Sequence, residues 1–154
     1  RIGRSGVASP APWFRCWRDS LPNCEWDPDI DRALWLKLAI NCAINPLTAM
    51  HRCVNGDLSR RADLAAEVAR LCDEIAAISV AAGYPEAAQG VHENVARVIA
   101  ATAANRSSML QDVLAGRRTE IDYITGYLLL VAGRCGIDAP RNRAVLASVR
   151  GPGC

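Results

Sequence analysis

Three polar residues on one apolar segment are the first candidates for chemistry. Lys37, Asn41 and Asn45 recur every four residues within WLKLAINCAIN, residues 35–45. At 3.6 residues per turn, this spacing places all three side chains along one side of a helix that is otherwise apolar. A helix of that kind is buried on most sides, so its polar stripe must face a cleft or another polar surface inside the protein.

The lysine in this stripe is unusual for the chain. Lys37 is the only lysine among 18 basic residues, and all the others are arginine. An ammonium group can give up and regain a proton, whereas a guanidinium in a protein stays charged. We therefore consider Lys37 a candidate for proton transfer. The three residues alone fit a structural alternative equally well, in which the lysine extends to solvent beside two asparagines that are hydrogen-bonded in the core.

Apolar residues at helical spacing also dominate the remaining sequence. No segment alternates with period two, so the pattern predicts an all-α fold. With 154 residues, the chain is long enough to form one domain with a proper core. The predicted helices are 29–50, 59–83, 85–104, 108–114, 120–135 and 140–149.

Several local signals predict where these helices begin and bend. Pro46 predicts a kink or a cap in the first helix. Ser59 is expected to cap the second helix, and Thr119 the helix that starts at the next residue. Ser108 with Gln111 fits the capping box S-x-x-Q for the short helix.

The composition divides the chain into three parts. Residues 1–26 contain three prolines and no sustained period, which indicates a connector with a strand remnant and a short helix around 12–20. Residues 27–150 form the predicted helical domain, and 151–154 a tail. Because the chain starts at Arg1 and not at methionine, we expect it to be a piece of something longer.

Composition and charge argue against several classes of function. The net charge is +2 with scattered basic residues, whereas nucleic-acid binding requires a clustered basic face. No uninterrupted apolar run reaches the roughly 18 residues of a membrane span. His92-Glu93 lacks the second histidine of HExxH, so no metal site is expected. Seven cysteines without a CxxC pair indicate buried thiols in a reducing compartment, and we expect a cytoplasmic protein.

Three separate blocks of this sequence resemble one known family. They are WLKLAINCAINPLTAM followed by Asn55-Gly56, then NRSSMLQDVLAGRRTEIDYITGYLL, and finally GIDAPRN. In this order and spacing they resemble the C-terminal domain of ketopantoate reductase, also called 2-dehydropantoate 2-reductase. The resemblance implies an all-α, multi-helix domain of the ketopantoate reductase and 6-phosphogluconate dehydrogenase C-terminal type, after a short irregular remnant of the preceding nucleotide-binding domain.

The resemblance also implies an activity and its partners. That family uses NADPH to reduce the 2-keto group of ketopantoate, giving pantoate on the way to pantothenate and coenzyme A. An N-terminal Rossmann domain binds the nucleotide, and this sequence contains no such domain. The chain alone is therefore expected to be inactive and to require that domain, in the same polypeptide or from another. A homodimer is a further expected partner, and no metal is needed.

Site residues follow from the resemblance position by position. Lys37 matches the general acid that protonates the keto oxygen. Glu120 matches the carboxylate that holds the substrate hydroxyl and tunes the lysine, with a further contact near the nicotinamide ribose. The positions that match substrate-binding or lysine-orienting groups are Asn41, Asn45, Asn55, Asn105 and Ser108.

Alternatives remain for single residues and for the whole chain. Ser108 is equally suited to capping a helix, and Glu120 to a first helical turn that favours negative charge. The chain as a whole also fits a non-catalytic helical interaction or dimerisation module. A third reading is a paralogue that reduces another 2-keto acid.

Overall fold

The computed structural model describes residues 1–150, and the chain forms two compact units, Arg1–Lys37 and Leu38–Cys154. The predicted tail at 151–154 lies outside the described residues. The all-α prediction is confirmed, because the described part of the chain is mostly helical and its two strands contain only two residues each.

The first unit contains a minimal parallel sheet and one short helix. Strand β1 (Ile2–Gly3) pairs with β2 (Trp26–Asp27), with Ile2 opposite Trp26. A Cβ atom at Gly3 would lie 1.8 Å from the Asp27 carbonyl oxygen, so this approach requires glycine. Helix α1 (Phe14–Ser20) is the predicted short helix.

An aromatic cluster forms the small core of this unit. Phe14 is 4% exposed, and its ring meets Trp26 edge to face at a centroid distance of 5.4 Å. Trp13 contacts both rings in the same way, at 6.4 and 6.3 Å. The Trp26 indole also donates to the Val7 carbonyl at 2.9 Å. Edge-to-face packing of these rings, together with the hydrogen bond of the indole N–H, stabilises a segment that has no regular apolar pattern in its sequence.

Helix α2 (Ile30–His51) is not interrupted at its internal proline. It continues through Pro46, so a cap at this proline is wrong. An internal proline costs one hydrogen bond, but Ala43 and Leu47 on either side are fully buried, and tertiary packing of this kind holds helices together. By length and composition, α2 could cross a membrane. This is weak evidence, because the buried core helix of a soluble protein meets the same criteria. In α2, 56% of the most apolar 18-residue stretch is buried.

The second unit is built around α4. This helix packs against α3, α5, α6, α8 and α9, and Leu71, Ile75 and Ile78 on its inner face are fully buried. After α2, the elements are α3 (Asp57–Arg60), α4 (Ala62–Ala81), α5 (Pro85–Gln89), α6 (Val91–Ala101), α7 (Ser108–Leu114), a π-helical segment (Asp122–Gly126), α8 (Tyr127–Cys135) and α9 (Pro140–Arg150).

Two predicted helix boundaries are wrong in this unit. Ser59 does not cap a helix but lies inside α3, where its hydroxyl donates to the Gly56 carbonyl at 3.0 Å. The predicted helix 85–104 is divided at Gly90 into α5 and α6. Glycine is a poor helix former, and here it separates two short helices instead of lying inside a long one.

Hydrogen bonds to the Glu74 carboxylate connect the last helix, α9, to the central helix α4. This carboxylate accepts hydrogen bonds from the backbone N–H groups of Arg141 and Asn142, at 2.8 and 2.9 Å. The Asn142 side-chain amide adds a third at 2.8 Å. The first N–H groups of a helix have no partner within the helix, so a carboxylate at this position satisfies donors at the start of α9.

We expect Glu74→Ala to lower the free energy of unfolding by about 2 kcal/mol, because hydrogen bonds to a charged group are lost and the fully buried Asn142 amide is left without its partner. Urea denaturation followed by circular dichroism measures this. Glu93→Ala, at an exposed position of α6, is the control and should change stability by less than about 0.5 kcal/mol. Equal free energies of unfolding for the two variants would contradict the stabilising role of the Glu74 hydrogen bonds.

Candidate functional site

The polar stripe of α2 becomes progressively more buried along the helix. Lys37 is exposed, Asn41 is half-buried and Asn45 is 8% exposed. Among residues 1–150, no hydrogen bond or ion pair involves the Lys37 ammonium. Apolar packing surrounds the far end of the stripe, so an amide at Asn45 lies in a water-poor setting.

Asn55 and Asn105 are brought together by backbone hydrogen bonds. The Asn55 N–H donates to the Asn105 carbonyl at 3.0 Å, and the Gly56 N–H donates to the Ala103 carbonyl at 2.9 Å. A Cβ atom at Gly56 would lie 2.9 Å from both the Cβ and the carbonyl oxygen of Ala103. Glycine at 56 therefore allows the two loops to approach closely enough for these bonds.

The Asn55 amide is oriented by Thr102. The Thr102 hydroxyl donates its single proton to the Val98 carbonyl at 2.6 Å, so it can only accept from Asn55. The Asn55 Nδ2 group accordingly donates to Thr102 Oγ1 at 2.9 Å, which turns Oδ1 away. That Oδ1 is buried and has no partner within the described residues. A buried acceptor without a partner is costly and can accept a hydroxyl or N–H group from a ligand.

The cap of α7 is Ser107 and not Ser108. Ser107 Oγ accepts from the Leu110 N–H at 3.0 Å, and Gln111 Nε2 bonds the Arg106 carbonyl at 3.1 Å. Ser108 with Gln111 fits the capping box, but Ser107 is the cap because its backbone is not helical, with φ −60° and ψ 156°. Ser108 is exposed at the first position of α7, so its hydroxyl is not used for capping.

Glu120 lies two residues before the π-helical segment. It is exposed, and its carbonyl oxygen accepts from the N–H groups of both Tyr123 and Ile124 at 3.0 Å. The predicted single helix 120–135 is therefore wrong in its first part. The Thr119 hydroxyl accepts a long hydrogen bond of 3.5 Å from the Ile121 N–H, in agreement with the predicted cap. Single π-helical turns inside helices occur frequently at functional sites.

The π-helical segment also meets α2. Burial raises the pKa of the Cys42 thiol to about 12, and an interaction with the Thr125 hydroxyl acts in the opposite direction. The two groups fall short of a hydrogen bond, because Thr125 Oγ1 is fully buried without a partner among the described residues. Cys42 adjoins Asn41, and Thr125 is five residues after Glu120. The π-helical segment thus packs against α2 at Cys42.

Four of the predicted site residues are linked through one short segment, 105–108. Its first residue, Asn105, is bonded to Asn55. Near its end, Ser107 is hydrogen-bonded to Thr48 of α2, which in turn bonds the Asn45 carbonyl, and Ser108 follows directly. In the part of the chain that the structure describes, no hydrogen bond joins the Glu120 carboxylate to these groups.

Sequence reasoning missed three hydroxyl-bearing residues whose hydrogen bonds organise this region, namely Thr48, Thr102 and Ser107. The available signal was the presence of small polar residues within strongly apolar helical faces. No such residue is unusual by itself, so only the fold distinguishes them. Among residues 1–150, no group of three or more His, Cys, Asp or Glu side chains could hold a metal ion.

Comparison with known proteins gives consistent similarities. The family described as "Ketopantoate reductase PanE/ApbA C terminal" matches residues 29–152. A 2-dehydropantoate 2-reductase of Salmonella typhimurium is 46% identical over 130 residues, which are 84% of this chain and 42% of that protein. The crystal structure of a PanE/ApbA family ketopantoate reductase from Ralstonia eutropha JMP134 has a TM-score of 0.75 and 32% identity, over 82% of this chain and 42% of that one.

A third similarity concerns the fold alone. A dimeric ketopantoate reductase from Staphylococcus aureus has a TM-score of 0.72 at 18% identity, over 92% of this chain and 50% of that one. The chain spans about two fifths of the length of the curated relatives it matches.

Proposed function

This chain belongs to the ketopantoate reductase family, whose C-terminal region it matches, and from that premise we propose that it is the substrate-binding and catalytic half of a cytoplasmic, NADPH-dependent 2-dehydropantoate 2-reductase. In this proposal the substrate is a 2-keto acid with a hydroxyl group. The complete enzyme also needs a nucleotide-binding domain.

The observation that carries the proposal is the buried, unpartnered Oδ1 of Asn55. Its neighbours fix it as an acceptor beside Asn105, where a donor group of a bound ligand can bond to it. Asparagine amides and the Ser108 hydroxyl bind a hydroxy-keto acid without adding charge to the site. Asn41 and Asn45 complete this neutral wall along α2.

Lys37 and Glu120 supply the charged groups of the proposed reaction. When bound, NADPH supplies the hydride that reduces the keto carbon. Negative charge then develops on the keto oxygen, and a positioned ammonium at Lys37 delivers a proton to it. The Glu120 carboxylate accepts a hydrogen bond from the substrate hydroxyl and stabilises the positive charge of the lysine. The two short strands of the described residues form no dinucleotide-binding sheet, and Glu120 is the residue of this chain that we assign to the nicotinamide end.

The test is to restore the missing part. We would join this chain to the N-terminal region of the Salmonella typhimurium relative that the match does not cover and follow NADPH oxidation with 2-dehydropantoate. We expect turnover by the fusion protein and none by the unfused chain. An inactive, folded fusion that binds NADPH would overturn the proposal, and turnover with a different 2-keto acid alone would assign the paralogue reading.

An exposed apolar strip favours the interaction module as a second candidate. Tyr123, Tyr127 and Leu130 lie at helical spacing and are 76%, 49% and 49% exposed. Exposed patches of this kind often mark interfaces. Analytical ultracentrifugation of the chain, with and without 2-dehydropantoate, separates the two candidates: concentration-dependent association without ligand binding would support the module.

A further inference from the structure

Two buried hydroxyl groups join α2 to the start of α7. Thr48 Oγ1 and Ser107 Oγ are 2.7 Å apart although the residues are 59 positions apart in the chain. Thr48 is fully buried and Ser107 is 6% exposed. A hydrogen bond between two hydroxyls in an apolar setting is strong and holds its partners in one geometry.

Only one arrangement of the hydroxyl protons satisfies every contact. Thr48 Oγ1 is 2.9 Å from the Asn45 carbonyl oxygen, which can only accept, so the Thr48 proton points there. Ser107 Oγ accepts from the Leu110 N–H at 3.0 Å. The Ser107 proton is therefore directed at Thr48 Oγ1. The result is a directed chain from the Leu110 N–H through both hydroxyls to the Asn45 carbonyl.

We propose that the Thr48–Ser107 pair is a positioning element that fixes Asn45 on α2 relative to Ser108 on α7. This inference rests on the proposed function. The pair bonds Asn45 directly, and Ser107 immediately precedes Ser108. Pro46, between Asn45 and Thr48, removes a backbone donor from α2, so the helix needs another restraint at this point.

The pair of variants Thr48→Val and Thr48→Ser tests this role in the fusion protein. Valine has nearly the shape of threonine but no hydroxyl, whereas serine keeps the hydroxyl and loses a methyl group. We expect Thr48→Val to lower kcat/KM for 2-dehydropantoate about 10- to 100-fold, because small displacements of substrate-positioning groups cost this much. The loss should arise mainly through KM for this substrate, with KM for NADPH unchanged, and Thr48→Ser should retain most of the activity.

Ser79→Ala is the matched control. Ser79 is also a fully buried hydroxyl, and it donates to the Ile75 carbonyl at 2.7 Å within α4. Its loss should leave both KM values unchanged. If Thr48→Val fails to fold by circular dichroism, Thr48→Ala, which also lacks the hydroxyl and adds no bulk, takes its place.

A fully active Thr48→Val variant in an active fusion would overturn the positioning role and leave the proposed function standing. If the wild-type fusion folds and binds NADPH but is inactive, the proposed function fails, and NMR of the ¹⁵N-labelled 154-residue chain decides the inference. There Thr48→Val should shift the Asn45 side-chain amide and the Ser108 backbone amide. Unshifted signals would overturn the positioning role.

Discussion

Replacing Lys37 by arginine is expected to lower kcat for 2-dehydropantoate reduction about 10²- to 10⁴-fold in the fusion protein, the range that general acid catalysis by one side chain contributes. Arginine keeps the positive charge, so binding of the substrate carboxylate should change less than kcat. The guanidinium, however, does not release its proton. Steady-state kinetics at saturating NADPH measures the effect.

The control for this variant is the opposite exchange at a nearby position. Arg32 is exposed on the same helix, and Arg32→Lys changes the same chemical groups in reverse. It should leave kcat within about twofold of the wild-type value, as surface changes usually do. An arginine variant at position 37 with an undiminished rate would contradict the proton-donor role.

Glu120→Gln is expected to lower kcat/KM for 2-dehydropantoate about 10- to 100-fold, because a charge-assisted hydrogen bond to the substrate hydroxyl is replaced by a neutral one. Glutamine keeps the shape of the side chain and loses its negative charge. If the Glu120 carboxylate mainly binds the substrate hydroxyl, the loss should appear in KM. If it mainly assists proton transfer from Lys37, the loss should appear in kcat.

Glu86→Gln removes an exposed carboxylate from the first turn of α5 and serves as the control. If Glu120→Gln and Glu86→Gln give equal kinetic constants, Glu120 has no catalytic role, and its carboxylate is only favoured by the dipole at the start of a helix. The double variant Lys37→Arg with Glu120→Gln adds a second criterion. Its loss should be smaller than the product of the single losses, because groups that act together in one step are not additive.

Apolar periodicity was sufficient for most of the fold. The inner face of α4, with Leu71, Ile75 and Ile78, repeats at helical spacing, and burial of those residues follows directly. Local signals were less reliable, as the continuation of α2 through Pro46 demonstrates. A proline disfavours a helix by a fixed local cost, whereas the packing that compensates for it involves residues distant in sequence.

The sequence predicts which residues belong to the candidate site, but not how they are arranged in space. The four-residue spacing of Lys37, Asn41 and Asn45 follows from helix geometry. The bonds from Asn55 to Asn105 and from Thr48 to Ser107 join positions far apart in the chain, and no periodicity encodes them. The choice between two adjacent serines as a cap depends on one backbone angle, which the residue type does not determine.

The π-helical segment accommodates one extra residue in the chain shortly after Glu120. A π-helical turn accommodates one residue more than an α-helical turn. Deleting a residue such as Tyr123, which is 76% exposed, would let the segment become α-helical with little loss of packing. Because the π-helical turn absorbs that extra residue, the chain before the deletion, including Glu120, would keep its orientation about the helix axis. The same deletion in the regular helix α8 would rotate the chain before it by about 100°, so a change of one residue in length is tolerable at the π-helical turn and not in the α-helix beside it.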